Sequence, residues 1–149
     1  MVLADRDGRI LGCHATGRPK DSGYDFPKGM VDASDSSDFA AACRELSEET
    51  GLTLDFLEES GVLVTEYVID CGVFPHNKEK DIHIFVCPVK EFPTEHLECR
   101  SFFELPNGRT VAEVDGYAVI GKDDRIMFNK VLQNKFPIID EALQKIEWR

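Results

Sequence analysis

Apolar positions recur along the chain in two periods, and the change of period divides it into elements. Val2–Ala4 and Ile10–His14 read as short strands around the turn Asp5-Arg6-Asp7-Gly8. From Gly17 to Asp38 the chain is rich in Gly, Pro, Ser and Asp and reads as loop. Within that loop, Tyr24-Asp25-Phe26-Pro27-Lys28-Gly29 suits a short extended piece, because Pro27 biases Phe26 toward the β region. The period then lengthens. Phe39, Cys43, Leu46 and Thr50 follow at spacings of four, three and four, which predicts a core-facing helical stripe over about Ser37 to Thr50. Ser37 suits the N-cap, with Asp38 where the helix dipole favours an anion. Gly51 suits a left-handed C-terminal cap, with Leu52 packing back on the last turn. Leu63–Asp70 and Ile82–Val89 read as longer strands joined by the polar stretch from His76 to Asp81, and Val111–Ile120 reads as another strand. Helix signals return from Asp124, first with Ile126, Val131 and Leu132. After Pro137 a second helix presents Ile138, Ile139, Ala142, Leu143 and Ile146. Strands on both sides of a helix, with helices at the end, point to a layered α/β or α+β sandwich with a mixed sheet.

The 149 residues suit one domain spanning 1–149, long enough to bury roughly 68–70% of its unfolded surface. The apolar runs are too short to span a membrane, and the start of the chain lacks the shape of a signal peptide. The five cysteines, Cys13, Cys43, Cys71, Cys87 and Cys99, are odd in number and form no Cys-x-x-Cys pair. That argues against a zinc ribbon or a disulfide scaffold and fits a reducing, cytoplasmic setting. The net charge of −11 makes long nucleic acid an unsuitable partner, because such partners need clustered Lys and Arg. An acidic protein that handles an anionic substrate needs local compensation, and divalent cations supply it.

The helix from Ser37 carries the candidate chemistry. At about 100° per residue, Glu45, Glu48 and Glu49 fall within an arc of roughly 100° beside the apolar stripe. Like charges so placed cost an isolated helix about a few tenths of a kcal/mol per pair. Arg44, four residues before Glu48, supplies one counter-charge. A hard cation such as Mg²⁺, with Mn²⁺ as a substitute, suits the oxygen donors better and keeps waters for chemistry.

The segment Arg44-Glu45-Leu46-Ser47-Glu48-Glu49-Thr50-Gly51-Leu52, with Gly29 upstream, resembles the Nudix box, Gly-x5-Glu-x7-Arg-Glu-U-x-Glu-Glu-x-Gly-U, where U is a bulky aliphatic. The likeness covers residues 29 to 52. Phe26-Pro27-Lys28-Gly29 is similar to the approach segment of several branches. Glu113-Val114-Asp115-Gly116-Tyr117 looks like an element that supplies a further metal-binding glutamate in RNA pyrophosphohydrolases of the family. Two departures stand out. The loop from Met30 to Ser36 has one extra residue, so Asp35 or Ser36 takes the slot of the box's first glutamate; the chain also has less of the first strand before Val2 than family members usually do.

The resemblance implies a Nudix-like α/β/α sandwich and hydrolysis of a diphosphate bond in a nucleoside diphosphate linked to another group. It assigns cations to Glu45 and Glu49, an assisting role to Glu48, a further acid at Glu113, and a main-chain carbonyl at Lys28. Arg44 is expected to orient the glutamates, and Glu48 and Glu113 are the candidates for general base. Arg18, Lys20 and Lys28 are candidate phosphate contacts, and Tyr24 and Tyr67 suit either base stacking or the core. The Pro-Lys-Gly segment and Tyr67 favour a dinucleoside polyphosphate as substrate. ADP-ribose and RNA 5′-pyrophosphate are the alternatives, and the cysteines give no support to the zinc-containing NADH-cleaving branch. A homodimer is compatible with the sequence.

The run from Asp32 to Asp38 lacks the central Gly and terminal Glu of a calcium loop. A cysteine hydrolase would pair Cys43 or Cys87 with His83 or His14, yet Cys43 lies on the apolar stripe. A nucleotide sensor built on a Nudix fold would be expected to lose the box glutamates, whereas Glu45, Glu48 and Glu49 are all present here.

Overall fold

The computed structural model describes residues 1–149 apart from Lys20, Ser22, Tyr67 and Arg149. Strands β1 (Val2–Ala4), β2 (Ile10–Ala15), β3 (Tyr24–Asp25), β4 (Ile69–Pro75), β5 (Asp81–Pro88) and β8 (Val114–Ile120) form one mixed sheet. Along the sheet the order is β3-β2-β1-β5-β4, and β8 pairs with β2. The β1–β5 pair is parallel and the others are antiparallel. A separate hairpin joins β6 (Phe102–Glu104) to β7 (Thr110–Ala112).

Side chains alternate across the pleat and divide the core in two. Val2, Ala4, Ile84 and Val86 face a cluster closed by Phe128, Leu132, Phe136 and Ile139. Leu3, Phe85 and Cys87 face the opposite cluster, closed by Leu46, Leu52 and Leu57. Helix α3 (Phe136–Gln144) therefore covers one face, and α1 (Asp38–Thr50) with α2 (Leu54–Glu59) covers the other. The result is the α/β/α sandwich expected from the sequence. Among the described residues no helix is long and apolar enough to cross a membrane.

Helix α1 begins and ends as its sequence dictates. The Ser37 hydroxyl accepts from the Ala40 N–H, and Gly51 takes φ 75°, donating its N–H to the Ser47 carbonyl. Its buried stripe is Ala41, Leu46 and Thr50. Phe39 is 39% exposed and lies edge-on to Phe85 at 5.3 Å, so the stripe is displaced from the expected one.

Other expectations need correction. The strand expected over Leu63–Asp70 begins only at Ile69 and continues to Pro75; before it, Leu63 makes an isolated bridge to Val89. The helix α2 went unread because only six residues form it. The strand expected over Val111–Ile120 breaks at Glu113 into β7 and β8. The helical signal from Asp124 resolves into two 3₁₀ pieces, Lys122–Met127 and Lys130–Lys135, which leave Ile126 80% and Val131 48% exposed. Arg125 ties this region to α3 through two hydrogen bonds to Asp140, at 2.6 and 2.7 Å.

Candidate active site

The box glutamates meet a loop at Gly29, where the missing Cβ leaves the space that the Glu45 carboxylate fills. A Cβ built on Gly29 would fall 2.1 Å from the Glu45 carboxyl carbon, so the Glu45 carboxylate lies directly on that backbone. One residue earlier, the Lys28 N–H donates to Glu49 Oε2 at 2.8 Å. Helix α1 thus presents two carboxylates to consecutive residues of the Lys28–Gly29 loop, and spacing i, i+4 is what lets one helix do so.

Arg44 organises the same face from the outside. Its guanidinium donates to Glu45 Oε1 at 2.8 Å, to Glu48 Oε2 at 3.2 Å and to the Met30 carbonyl at 2.9 Å. It also forms a two-pronged pair with Asp35, both distances 2.9 Å. Asp35 therefore takes the slot that the sequence left open between Asp35 and Ser36. Hydrogen bonds from Arg44 hold the Asp35 carboxyl below its ordinary range. The Asp32 carboxylate is turned onto Ser34, Asp35 onto Arg44 and Asp38 onto His83, so the acids of the run from Asp32 to Asp38 have separate partners.

Burial raises the Glu45 carboxyl; Arg44 opposes this, and Glu48 and Glu113 add to the rise. Glu49 is pushed up to about 8, chiefly by burial, with Glu45 and Glu113 adding to it against the Lys28 N–H. Glu113, remote in sequence, therefore stands close enough for its charge to be felt by both. A register shift between His14 and Ala15 interrupts the β2–β8 pairing there, and the Glu113 carbonyl accepts from the Thr16 N–H at 3.0 Å. Behind the helix, the Tyr117 hydroxyl donates to the Glu49 carbonyl at 2.5 Å and fixes the last turn of α1.

These donors fit a hard divalent cation. All are oxygens, and two carboxylates sit on one backbone loop, where a cation would neutralise the half-buried Glu49 charge that burial disfavours. Among the described residues no three Asp, Glu, His or Cys side chains gather into a cluster able to hold a metal. A cation here would accordingly depend on two carboxylates together with main-chain oxygen and water. The thiol alternative fares poorly: burial pushes the Cys87 thiol up to about 12 and raises Cys43 as well.

A cavity of about 650 Å³ opens between Lys28, whose N–H meets Glu49, and the C-terminal 3₁₀ pieces. Arg18 and Lys28, the candidate phosphate contacts, line it together with Asp25, His76, Phe128, Asn129 and Lys130, which sequence reasoning missed. Arg18 Nη1 donates to Asn129 Oδ1 at 2.8 Å, and Asn129 Nδ2 donates to Asp25 Oδ2 at 2.6 Å. The Tyr24 ring packs against the core and lies edge-on to His14 at 5.4 Å, and its carbonyl accepts from the Asn129 N–H. Lys20 and Tyr67 lie outside the described residues.

Comparison with known proteins places this geometry in context. The model of the NUDIX domain matches residues 1–111. The chain is 36% identical over 128 residues to a 17.7 kDa protein from the e–segB intergenic region of Enterobacteria phage T4, spanning 80% of this chain and 77% of that one. Its fold is similar to the NUDIX domain of Shewanella oneidensis NrtR, solved with ADP ribose, at TM-score 0.64 and 14% identity, covering 95% of this chain and 84% of that one. A bifunctional NMN adenylyltransferase/ADP ribose pyrophosphatase from Francisella tularensis gives 0.55 at 20% identity, over 97% of this chain and 39% of that one. A MutT protein from Methanosarcina mazei Go1 gives 0.52 at 17% identity, over 97% and 91%.

Proposed function

The chain belongs to the Nudix pyrophosphohydrolase family, and on that premise we propose that it hydrolyses the diphosphate bond of a nucleoside diphosphate linked to another group, with Mg²⁺ as the working cation. The observation that carries this reading is the seating of Glu45 and Glu49 on the Lys28–Gly29 backbone, where only a glycine leaves room for the first. Water attacks one phosphorus, the bridging P–O bond breaks, and two phosphate-ended products leave.

Glu45, Glu49 and the Lys28 carbonyl would hold the cation, which supplies charge neutralisation and a lowered pKa for the attacking water. Arg44 keeps Glu45 and Glu48 in place while Asp35 keeps Arg44 in place. Glu48, with its side chain 41% exposed, and Glu113 are the two acids available to take the proton from water. Arg18 and Lys28 meet the phosphate chain where the cavity joins the carboxylates.

A dinucleoside polyphosphate is the leading substrate on the strength of the Pro27-Lys28-Gly29 approach segment. ADP-ribose is the second reading, since the NrtR domain was solved with it and the Francisella enzyme carries it in its name. The net charge of −11 disfavours long RNA carrying a 5′-pyrophosphate. A product screen with Mg²⁺ over diadenosine polyphosphates, ADP-ribose, NADH, oxidised nucleoside triphosphates and triphosphorylated RNA tests the proposal. Release of nucleoside monophosphate or diphosphate from one of the linked nucleotides is expected. If no substrate in the panel is cut, the hydrolase reading falls; tight nucleotide binding without cleavage would instead mark a sensor.

A further inference from the structure

The last carbonyls of a helix have no partners within it, so whatever completes them shows what the helix end is fastened to. In α1 those carbonyls belong to the box acids and the residue after them. The Glu48 carbonyl accepts from the Arg100 N–H at 2.6 Å, and the Thr50 carbonyl accepts from the Glu98 N–H at 3.0 Å. Between them the Glu49 carbonyl accepts from the Tyr117 hydroxyl at 2.5 Å. Three consecutive carbonyls are thus held from outside the helix, two by an irregular segment and one by β8. The segment lies close against the helix end, since a Cβ built on Gly51 would fall 3.0 Å from the Glu98 carbonyl oxygen.

The same segment reaches the acid that is remote in sequence. One residue beyond Arg100, the Ser101 carbonyl accepts from the Glu113 N–H at 2.9 Å. The Glu113 carbonyl in turn accepts from the Thr16 N–H at 3.0 Å, so its backbone is held on both sides. The hairpin of β6 and β7 closes the path, leaving just after Ser101 and returning just before Glu113. Adjacent residues therefore fasten Glu48 and Glu113, and the link between them is backbone throughout. A site that divides its acids between a helix and a break between strands depends on that spacing, because a shift of about 1 Å costs about a hundredfold in rate. Resting on the reading that these acids serve a cation-dependent hydrolysis, we propose that residues 98–101 form a positioning bridge. It fixes Glu48 and Glu49 relative to Glu113 through main-chain hydrogen bonds, and Tyr117 is a further positioning residue that holds Glu49 from β8.

Arg100→Pro tests the bridge directly, because proline deletes the N–H that holds Glu48. Arg100→Ala is the comparison, since it trims the side chain and keeps that N–H. Binding of Mn²⁺ alone to the full chain, followed by electron paramagnetic resonance of the free ion, is expected to be about tenfold or more weaker in Arg100→Pro than in Arg100→Ala. With Mg²⁺ and a linked nucleotide that the protein cuts, kcat is expected to differ between the two by about ten- to hundredfold, with KM within about twofold. Tyr117→Phe removes one hydroxyl and should move both readouts the same way, by about three- to tenfold. It decides the matter if circular dichroism shows Arg100→Pro to be unfolded. Equal Mn²⁺ binding and equal kcat in the two folded Arg100 variants overturn the bridge, and an unchanged Tyr117→Phe overturns the role of Tyr117. A loss confined to KM also overturns the proposal. Mn²⁺ binding that depends on the bridge, with no product from any linked nucleotide, would remove the hydrolase and leave the bridge standing. Turnover without that dependence would do the reverse, and an unaltered protein that binds no Mn²⁺ overturns both.

Discussion

The carboxylate face and the neighbouring cavity share Lys28, yet they are assembled in opposite ways. Glu45, Glu48 and Glu49 come from little more than one turn of one helix, and the arginine that holds the first two is the residue before Glu45. The cavity takes Arg18 and Asp25 from the loop and strand before that helix, His76 from the turn after β4, and Asn129 from the gap between two 3₁₀ pieces. Its central hydrogen bonds join residues 104 and 111 positions apart. The first region is a local motif that any fold able to support α1 would display. The second exists only once the whole sheet has closed. Damage to the face should therefore appear in kcat, and damage to the cavity in KM and in the choice of ligand.

The largest expected effect breaks the face alone. Glu48→Gln or Glu49→Gln should lower Mg²⁺-dependent kcat by about a thousandfold, the range for a positioned group acting directly on the reaction. Far-ultraviolet circular dichroism should be unchanged, since neither side chain is part of the apolar clusters. Near-normal turnover in both variants would refute the catalytic assignment.

Gly29→Ala probes the junction where the two regions meet. The added Cβ falls 2.1 Å from the Glu45 carboxyl carbon, so either the loop or the carboxylate must move. A displacement of about 1 Å at such a site costs about a hundredfold in rate. Steady-state kinetics should show this loss with thermal stability retained, because Gly29 is exposed and makes no core contact. A variant with full activity would mean that Glu45 does not work from this position.

That junction also marks the limit of what could be read from the sequence. The helix, its Ser37 and Gly51 caps and the arc of acids were all legible, because helical periodicity and the box pattern are local. The stripe was misjudged at Phe39, since the exposed flank of a helix is set by its partner, here Phe85 on β5. The turns holding Ile126 and Val131 looked helical because short 3₁₀ pieces share their apolar spacing with an α-helix over so few residues. Asp25, His76 and Asn129 gave no signal. A buried atom without a partner becomes visible only when every neighbour is in place.

Asn129→Ala takes the comparison to the cavity. It removes the brace between Arg18 and Asp25 while leaving α1 untouched. KM for the preferred linked nucleotide should rise about five- to tenfold, near the worth of one or two lost hydrogen bonds, with kcat within about twofold of its starting value. A fall in kcat at constant KM would erase the division between the two regions.

The smallest effect lies at the clasp where His83 of β5 meets Asp38 of α1 at 2.8 Å and Asp70 of β4 at 2.7 Å. Burial pulls the imidazole down, but the hydrogen bonds to Asp38 and Asp70 outweigh it, and the net shift is upward from 6.5. A histidine raised in the folded state binds its proton more tightly there than in the unfolded chain. Its contribution is therefore complete below about pH 6.5 and fades as the pH climbs through the higher folded value. The His83 side chain is 22% exposed and its partners about half exposed, so solvent screens the clasp and its effect stays small. Thermal unfolding of the unaltered protein and His83→Gln, measured from pH 5.5 to 8.5, should differ by about 1–2 °C at the acid end and converge at the alkaline end. KM should be the same in both, because the clasp fixes the start of α1 and not the cavity at its far side. A gap that widened with pH would reverse the sign of the clasp, and a shifted KM would tie it to ligand binding.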